Sequence, residues 1–515
     1  MVNTPDDECD VLVIGSGGGA LTGAYTAARE GLSVIVAEAS THFGGTTAYS
    51  GGGIWLPCNA ALQRAGDHDT LDDARTYFRA VVGDRTPTAL QDAFLEGGAP
   101  LIDYLEADPD FKFMAFPWPD YFGSAPKASA TGRHIMAKPV KAEKLGALRD
   151  TLRPPLGTER AGEPLPDGLF GGQALLARLL IALSQQPRAD LRRNTTCHEL
   201  IRTDGTITGA VVSHNGARRH IHARRGVLIA AGGFEHNQHM RTDHGVPGST
   251  RDAMGPTSNQ GLATLAGIAA GADTDLMSEA WWSPGITHLD GTSTFSLWFT
   301  GGIFVDDHGH RFVNESAAYD RIGRQILTRI ADDRMTLPYW MIYDDREGER
   351  PPVQSTSVPL GNTQDYVEAG LWHTANSLDE LATKIGVPAD ELTRTVTRFN
   401  TFAETGTDED FGRGDEPFDR TFTGGASPLV PITKGPFHAA AFGVSDLGTK
   451  GGLRTDPRAR VLDTHGDVIP GLYAAGNSMA AVSGTTYPAG GNPIGACMVF
   501  SHLAALDMAG HRGEG

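Results

Sequence analysis

A short apolar strand that ends in glycine, reopens as a helix and is followed by a second strand closing on an acid constrains this chain more than any other feature. The run Val11 to Ile14 leads into Gly15-Ser-Gly17-Gly18-Gly-Ala20. Gly15 permits the tight turn, Gly17 lets the backbone come close to a pyrophosphate, and Gly18 opens a helix whose N-terminus faces the phosphates. Ala20 is small enough for helix and sheet to pack. Leu21, Ala24, Tyr25 and Ala28 fall at helical spacing on one apolar stripe. Gly31 ends that helix, Val34 to Ala37 reads as the second strand, and Glu38 stands close to the roughly 20-residue spacing of a ribose-binding acid. The segment is expected to hold a dinucleotide.

At 515 residues the chain exceeds the size at which one core stops growing, so two domains are expected. A net charge of −19 without any run of Lys or Arg argues against nucleic acid and against acidic membrane surfaces as partners. Cys9, Cys58, Cys197 and Cys497 show no spacing for a disulfide framework, a metal knuckle or haem attachment. No metal site is expected. The N-terminal stretch to Glu8 is acidic where a signal peptide is basic and then apolar, and no apolar run is long enough for an integral membrane segment. A cytoplasmic protein is expected, with loose association to a membrane surface left open.

Two more strand-to-glycine segments lie far downstream, one carrying Ala231 and Gly232, the other Gly476 and Asn477. Ligands of a doubly wound sheet sit beyond the carboxyl ends of its strands, so these turns belong around one crevice. The fold class is therefore α/β, with a discontinuous Rossmann-like dinucleotide domain over 1–275 and 446–515 and an inserted α+β domain over 276–445. Within the insertion, Thr294 to Phe299 and Gly302 to Val305 read as strands, Leu378 to Ile385 and Ala389 to Phe399 as helices, and Arg350 to Pro359 as a loop.

A second belt of small and hydroxyl residues follows Glu38: Gly45, Thr46, Thr47, Ser50, Gly51, Gly52 and Gly53. Nicotinamide enzymes have no need of it. FAD lies extended, so backbone must run beside both its pyrophosphate and its ring, and small residues allow that.

These residues carry a resemblance. Gly44 to Trp55, Arg311-Phe-Val-Asn-Glu315 and Gly471 to Gly476 resemble the fumarate reductase and succinate dehydrogenase flavoprotein superfamily. Within it, Asp120-Tyr121, Thr131-Gly-Arg133, Asp446 to Asp456 and Thr486-Tyr487-Pro-x-x-Gly491 resemble the 3-ketosteroid Δ1-dehydrogenases, over nearly the whole chain. The wider superfamily attaches flavin covalently through a histidine just before the glycine belt. None occurs from Phe43 to Ser50, so the resemblance implies non-covalent FAD, with Asn492 and Ile494 also beside it.

Removing hydrogens from C1 and C2 of a 3-ketosteroid requires a polarised C3 carbonyl, a base at C2 and a hydride acceptor at C1. The resemblance assigns the carbonyl to the Tyr487 hydroxyl and the Gly491 amide, the base to Tyr319 and its support to Tyr121. A phenol with a pKa of about 10 is a poor base and needs help. Fumarate reductases carry an arginine acid where Tyr319 stands, which argues against dicarboxylate reduction. If that segment is extended, Arg321 would share Tyr319's side. Phe116, Trp118, Trp281, Trp282, Phe295, Trp298 and Phe299 are candidates for an apolar steroid pocket. Two departures from the family pattern, Phe122 to Ala128 and Asn492-Pro493-Ile494, bear on steroid preference. The alternatives are a 3-oxo-5α-steroid 4-dehydrogenase and a non-enzymatic flavin carrier. No haem or iron–sulfur spacing is present, so an external electron acceptor, such as a quinone, is implied.

Overall fold

The Val11–Ile14 run is apolar at every position because both of its faces are covered, as a central parallel strand demands. In the computed structural model, which describes residues 6–511, it ends the strand Asp7–Ile14 at the centre of an eight-stranded sheet. Part of the polar N-terminal stretch, residues 1–5, lies outside the described residues, as do 512–515. Reading across the sheet, the parallel strands are Val468–Ala474, Ala217–Ile229, Asp7–Ile14, Val34–Ala37 and Ala189–Arg192. Ile14 pairs with Ile229, and Ile229 with Ala474. This register brings the turns at Gly15, Ala231–Gly232 and Gly476 to one level at the carboxyl end of the sheet. Helices Gly18–Arg29, Gly171–Ser184 and Asn492–Ala509 pack together over it.

The second layer system is a seven-stranded antiparallel sheet built mainly from Ala280–Thr287, Ser293–Phe299, Ile303–Val305, Tyr339–Asp344 and Phe437–Thr449. Helix Tyr319–Ala331 lies on its inner strand, close enough that a side chain at Gly323 would strike Trp282. Helices Leu378–Ile385 and Ala389–Thr405 cover another face around Leu381, Val396 and Phe399. The strand Phe437–Thr449 runs continuously across 445/446.

The Arg350–Pro359 stretch is not all loop. Val353–Thr356 forms an edge strand against Ser293–Phe299. The flanking prolines conceal it in the sequence, since proline is tolerated at the ends of edge strands. Among the described residues no helix is long and apolar enough to cross a membrane. Cys9, Cys58, Cys197 and Cys497 are all free thiols.

Candidate functional site

The three glycine turns and the downstream belt enclose one cavity of about 670 Å³ that runs from Glu38 to the tyrosines. At Gly15 the chain takes a φ of +106°, and a Cβ there would sit 2.3 Å from the Ala230 carbonyl oxygen, so only glycine passes between the strands. Gly17, Gly18 and Ala20 bring the start of the first helix to the wall, with the Gly18 amide donating to Thr47 Oγ1 at 3.1 Å. The buried Glu38 carboxylate accepts from Ser16 Oγ at 2.5 Å and from the Ser40 amide at 2.8 Å. Thr46 Oγ1 accepts from Asn259 Nδ2 at 3.1 Å, and Ser50 Oγ links Thr47 O to the Gly52 amide. Across the cavity, Ser478 Oγ accepts from the Ala231 amide and donates to the Gly232 carbonyl. Asn477 Oδ1 accepts from Trp281 Nε1 at 3.1 Å.

At the far end, residues from three segments converge. Tyr319 opens the helix Tyr319–Ala331, Tyr121 follows a buried aspartate, and Tyr487 and Gly491 flank a turn before the last helix. The ring centroids of Tyr121, Tyr319 and Tyr487 are 5.3–5.6 Å apart with edge-to-face tilts. The Tyr319 hydroxyl donates to that of Tyr487 at 3.0 Å. Trp118 Nε1 donates to the Tyr121 hydroxyl at 3.3 Å. Burial pushes the Tyr121 and Tyr319 phenols well above their ordinary value, and each also feels its tyrosine neighbours. Tyr487 is pushed up to about 12 by burial, against the Tyr319 hydroxyl and the Gly491 amide, which favour its anion. Gly491 has a φ of +86°, and a Cβ there would lie 2.5 Å from the Gly53 carbonyl carbon.

A buried polar cluster anchors Tyr121. Arg133 pairs with Asp120 and, at 2.6 Å, with Asp69, while Trp55 Nε1 donates to Asp120 Oδ1 at 2.9 Å. The segment before Tyr319 is pinned similarly, because Glu315 receives Arg311 at 2.8 Å and Arg413 at 3.1 Å with no exposed side chain at either Glu315 or Arg413.

Residues 10–494 match the family of FAD binding domains. The chain is 37% identical to the 3-oxosteroid 1-dehydrogenase of Mycolicibacterium smegmatis over 98% of this chain and 97% of that protein. It is 35% identical to the 4-oxocyclohexanecarboxylate 2-dehydrogenase of Sinomonas cyclohexanicum, over 99% and 94%. The solved 3-ketosteroid delta1-dehydrogenase from Sterolibacterium denitrificans, in complex with 1,4-androstadiene-3,17-dione, matches with a TM-score of 0.89 at 30% identity, covering 98% of this chain and 100% of that one. The chain belongs to the 3-ketosteroid Δ1-dehydrogenase family.

FAD is accordingly its cofactor, and the walls fit it. A Cβ at Gly17 would find no atom nearer than 3.5 Å, at Gly45 none nearer than 3.7 Å, and at Gly51 none within 4 Å. These glycines thus leave a groove that any side chain would fill. No Lys or Arg is among the described residues that line the cavity, so a pyrophosphate would meet amides and a helix N-terminus rather than side-chain cations.

Ile494 lines the main cavity and Asn492 a small adjoining one of about 20 Å³. Three readings from the sequence need correction. Trp282 packs into the second core, since alternation along Ala280–Thr287 sends only Trp281 to the cavity. Phe299 also lies in that core. The left-handed φ of +68° at Trp298 breaks strand alternation, leaving Leu297 and Trp298 at the cavity and turning Phe299 away. Arg321 does not share Tyr319's side, because the segment is helical and two residues turn it by about 200°. It donates instead to the Tyr121 carbonyl at 3.0 Å and to Glu416 at 2.6 Å.

His134 and Asn259 line the cavity and were missed in the sequence. His134 directly follows the Thr131-Gly-Arg133 motif, so its place beside that motif is a usable signal. Burial drives its pKa down to about 4, keeping it neutral. Asn259 has no local motif and acquires its role only by bridging Thr46 and Glu235.

Proposed function

We propose that this chain catalyses the FAD-dependent 1,2-dehydrogenation of 3-ketosteroids. A proton leaves C2, a hydride leaves C1, and the C1–C2 double bond forms. Convergence of the Tyr121, Tyr319 and Tyr487 hydroxyls and the Gly491 amide at one end of the cofactor cavity carries the reading.

Charge of the enolate type grows on the C3 oxygen, so fixed donors there lower the barrier most. The Tyr487 hydroxyl and the Gly491 amide supply them. With Tyr319 as the phenolate, the pair keeps one O–H hydrogen, that of Tyr487, and offers it to the incoming carbonyl. Tyr319, as its phenolate, takes the C2 proton, and Tyr121, 5.6 Å away between ring centroids with its hydroxyl accepting from the Trp118 indole N–H, stands beside it to relay that proton. Aromatic walls from Phe116, Trp118, Trp281 and Phe295 exclude water from the forming anion. FAD, when bound, supplies the hydride acceptor. Gly15, Gly17, Gly18, Ala20 and Glu38 hold its adenosine half and pyrophosphate, and the belt from Gly45 to Gly53 its ring side. We read the binding as non-covalent, since His42 is not among the residues lining the cavity. An external electron acceptor, such as a quinone, would be needed to reoxidise the flavin. We also divide the chain into a nucleotide domain, 1–275 with 446–515, and a catalytic domain, 276–445, joined by the Phe437–Thr449 strand. We read the protein as cytoplasmic, a reading that its four free thiols support.

The test is product analysis. The purified flavoprotein with androst-4-ene-3,17-dione and an artificial acceptor should yield the 1,4-diene. A 5α-reduced steroid separates C1–C2 from C4–C5 desaturation, and 4-oxocyclohexanecarboxylate tests a monocyclic ketone. Absence of product from every 3-ketosteroid would overturn the reading, and a preparation without flavin colour would favour a carrier.

A further inference from the structure

Lys450 is a fully buried lysine beside the tyrosines that the mechanism above does not use. Its side chain has no exposed surface, and among the described residues no carboxylate lies within ion-pair distance of it. Nζ instead donates to the Thr486 carbonyl at 2.8 Å, one residue before Tyr487. It also sits 4.0 Å from the centroid of the Trp281 ring, which in turn lies 4.8 Å from the Tyr487 ring. Its own backbone is fixed on both sides, the amide donating to Glu279 O and the carbonyl accepting from Ala481.

Burying an amino group without a carboxylate partner is costly, and an aliphatic side chain of similar length would fill the same volume. What distinguishes lysine here is that it grips both supports of Tyr487: the preceding peptide and the aromatic ring behind it. We propose that Lys450 is a positioning residue that holds the Tyr487 hydroxyl where it meets the C3 carbonyl oxygen. The inference rests on the proposed dehydrogenation for its kinetic consequence but not for its physical one.

The groups that face Lys450 are Asp320, Glu279 and Arg324. Asp320 is occupied by Arg324 Nε at 2.8 Å and by the Trp282 amide at 3.2 Å, and Glu279 by Arg324 at 2.9 Å. Burial lowers the lysine to about 7, with Asp320 partly opposing. Loss of the proton leaves the amine able to donate to Thr486, so the grip survives while the cation on Trp281 is lost.

The test compares the Lys450→Met and wild-type holoenzymes. With a 3-ketosteroid in D2O, both turnover and deuterium exchange at C2 should fall by about ten- to a hundredfold with KM and flavin content little changed, and Lys450→Arg, which keeps a cationic donor, should recover part of the loss. Unchanged exchange in a flavin-loaded Lys450→Met, beside an active wild type, would overturn the proposal. A substrate-free readout separates this failure from failure of the proposed activity. With 13C at tyrosine Cζ and 15N at lysine Nζ, the Tyr487 resonance, assigned with Tyr487→Phe, should share the inflection of Lys450 in the wild type. A Tyr487 signal that ignores the titration of Lys450 would overturn the positioning role whatever the substrate, even if neither variant folds.

Discussion

The hydroxyl of Tyr319, at the first turn of a helix in the antiparallel half, donates across 3.0 Å to the hydroxyl of Tyr487, in the turn before the last helix. The pair closes the end of the cofactor cavity, and both rings are nearly fully buried. Replacing Tyr319 by Phe removes the proposed proton acceptor while keeping the ring that packs on Phe295 at 5.0 Å. Turnover is expected to drop by about two to four orders of magnitude, the usual scale for a positioned acid or base. Flavin absorbance should persist, and steady-state rates beside the visible spectrum check both points.

The pH profile follows from the direction of the tyrosine shifts. Burial raises all three phenols, Tyr487 to about 12, so the proton-accepting form of the base is scarce at neutrality and grows roughly tenfold per pH unit below its pKa. The C2-exchange rate should therefore climb through pH 6 to about 9 without levelling. A plateau reached by about pH 7 would mean that another group takes the proton.

Gly491→Ala should be far more damaging than its size suggests. The new methyl would lie 2.5 Å from the Gly53 carbonyl carbon, and the φ of +86° is one that alanine adopts only with strain. Moving the turn displaces both the amide and Tyr487, so turnover should fall by about a hundredfold, the worth of one oxyanion donor. Rapid single-turnover flavin reduction would read this loss directly.

Trp298 stands half-exposed at the cavity mouth, 5.2 Å from the Phe422 ring, with a left-handed φ of +68°. A bulky residue held there stores about 1–3 kcal/mol. Trp298→Gly should leave thermal stability unharmed or improved while raising KM about tenfold, the equivalent of roughly 1.4 kcal/mol of lost apolar contact. Parallel melting and KM measurements test the trade, and a large fall in melting temperature would contradict it.

Glu315→Ala leaves Arg413 buried without its paired carboxylate, while Arg311 keeps Asp408 at 2.8 Å. A cost of about 3–5 kcal/mol is expected, because the uncompensated charge of Arg413 remains buried. Calorimetry should show a lower unfolding temperature, together with weaker retention of flavin, since the same segment leads into Tyr319.

The sequence alone determined the nucleotide half of this protein: Gly15, Gly17, Ala20 and Glu38 lie within one strand–turn–helix–strand unit, where local geometry and the identity of each small residue fix the outcome. The tyrosines were legible only through resemblance, because Tyr121, Tyr319 and Tyr487 lie far apart in the chain and no local pattern links them. Tertiary structure decided everything that depends on which way a side chain turns. Helical rather than extended backbone at Tyr319 removed Arg321 from the site, one left-handed residue at Trp298 sent Phe299 to the core, and strand alternation separated Trp281 from Trp282. The partners of Lys450 and Asn259 were equally out of reach, since a buried amine or amide acquires its meaning from atoms that only long-range packing brings within hydrogen-bond distance.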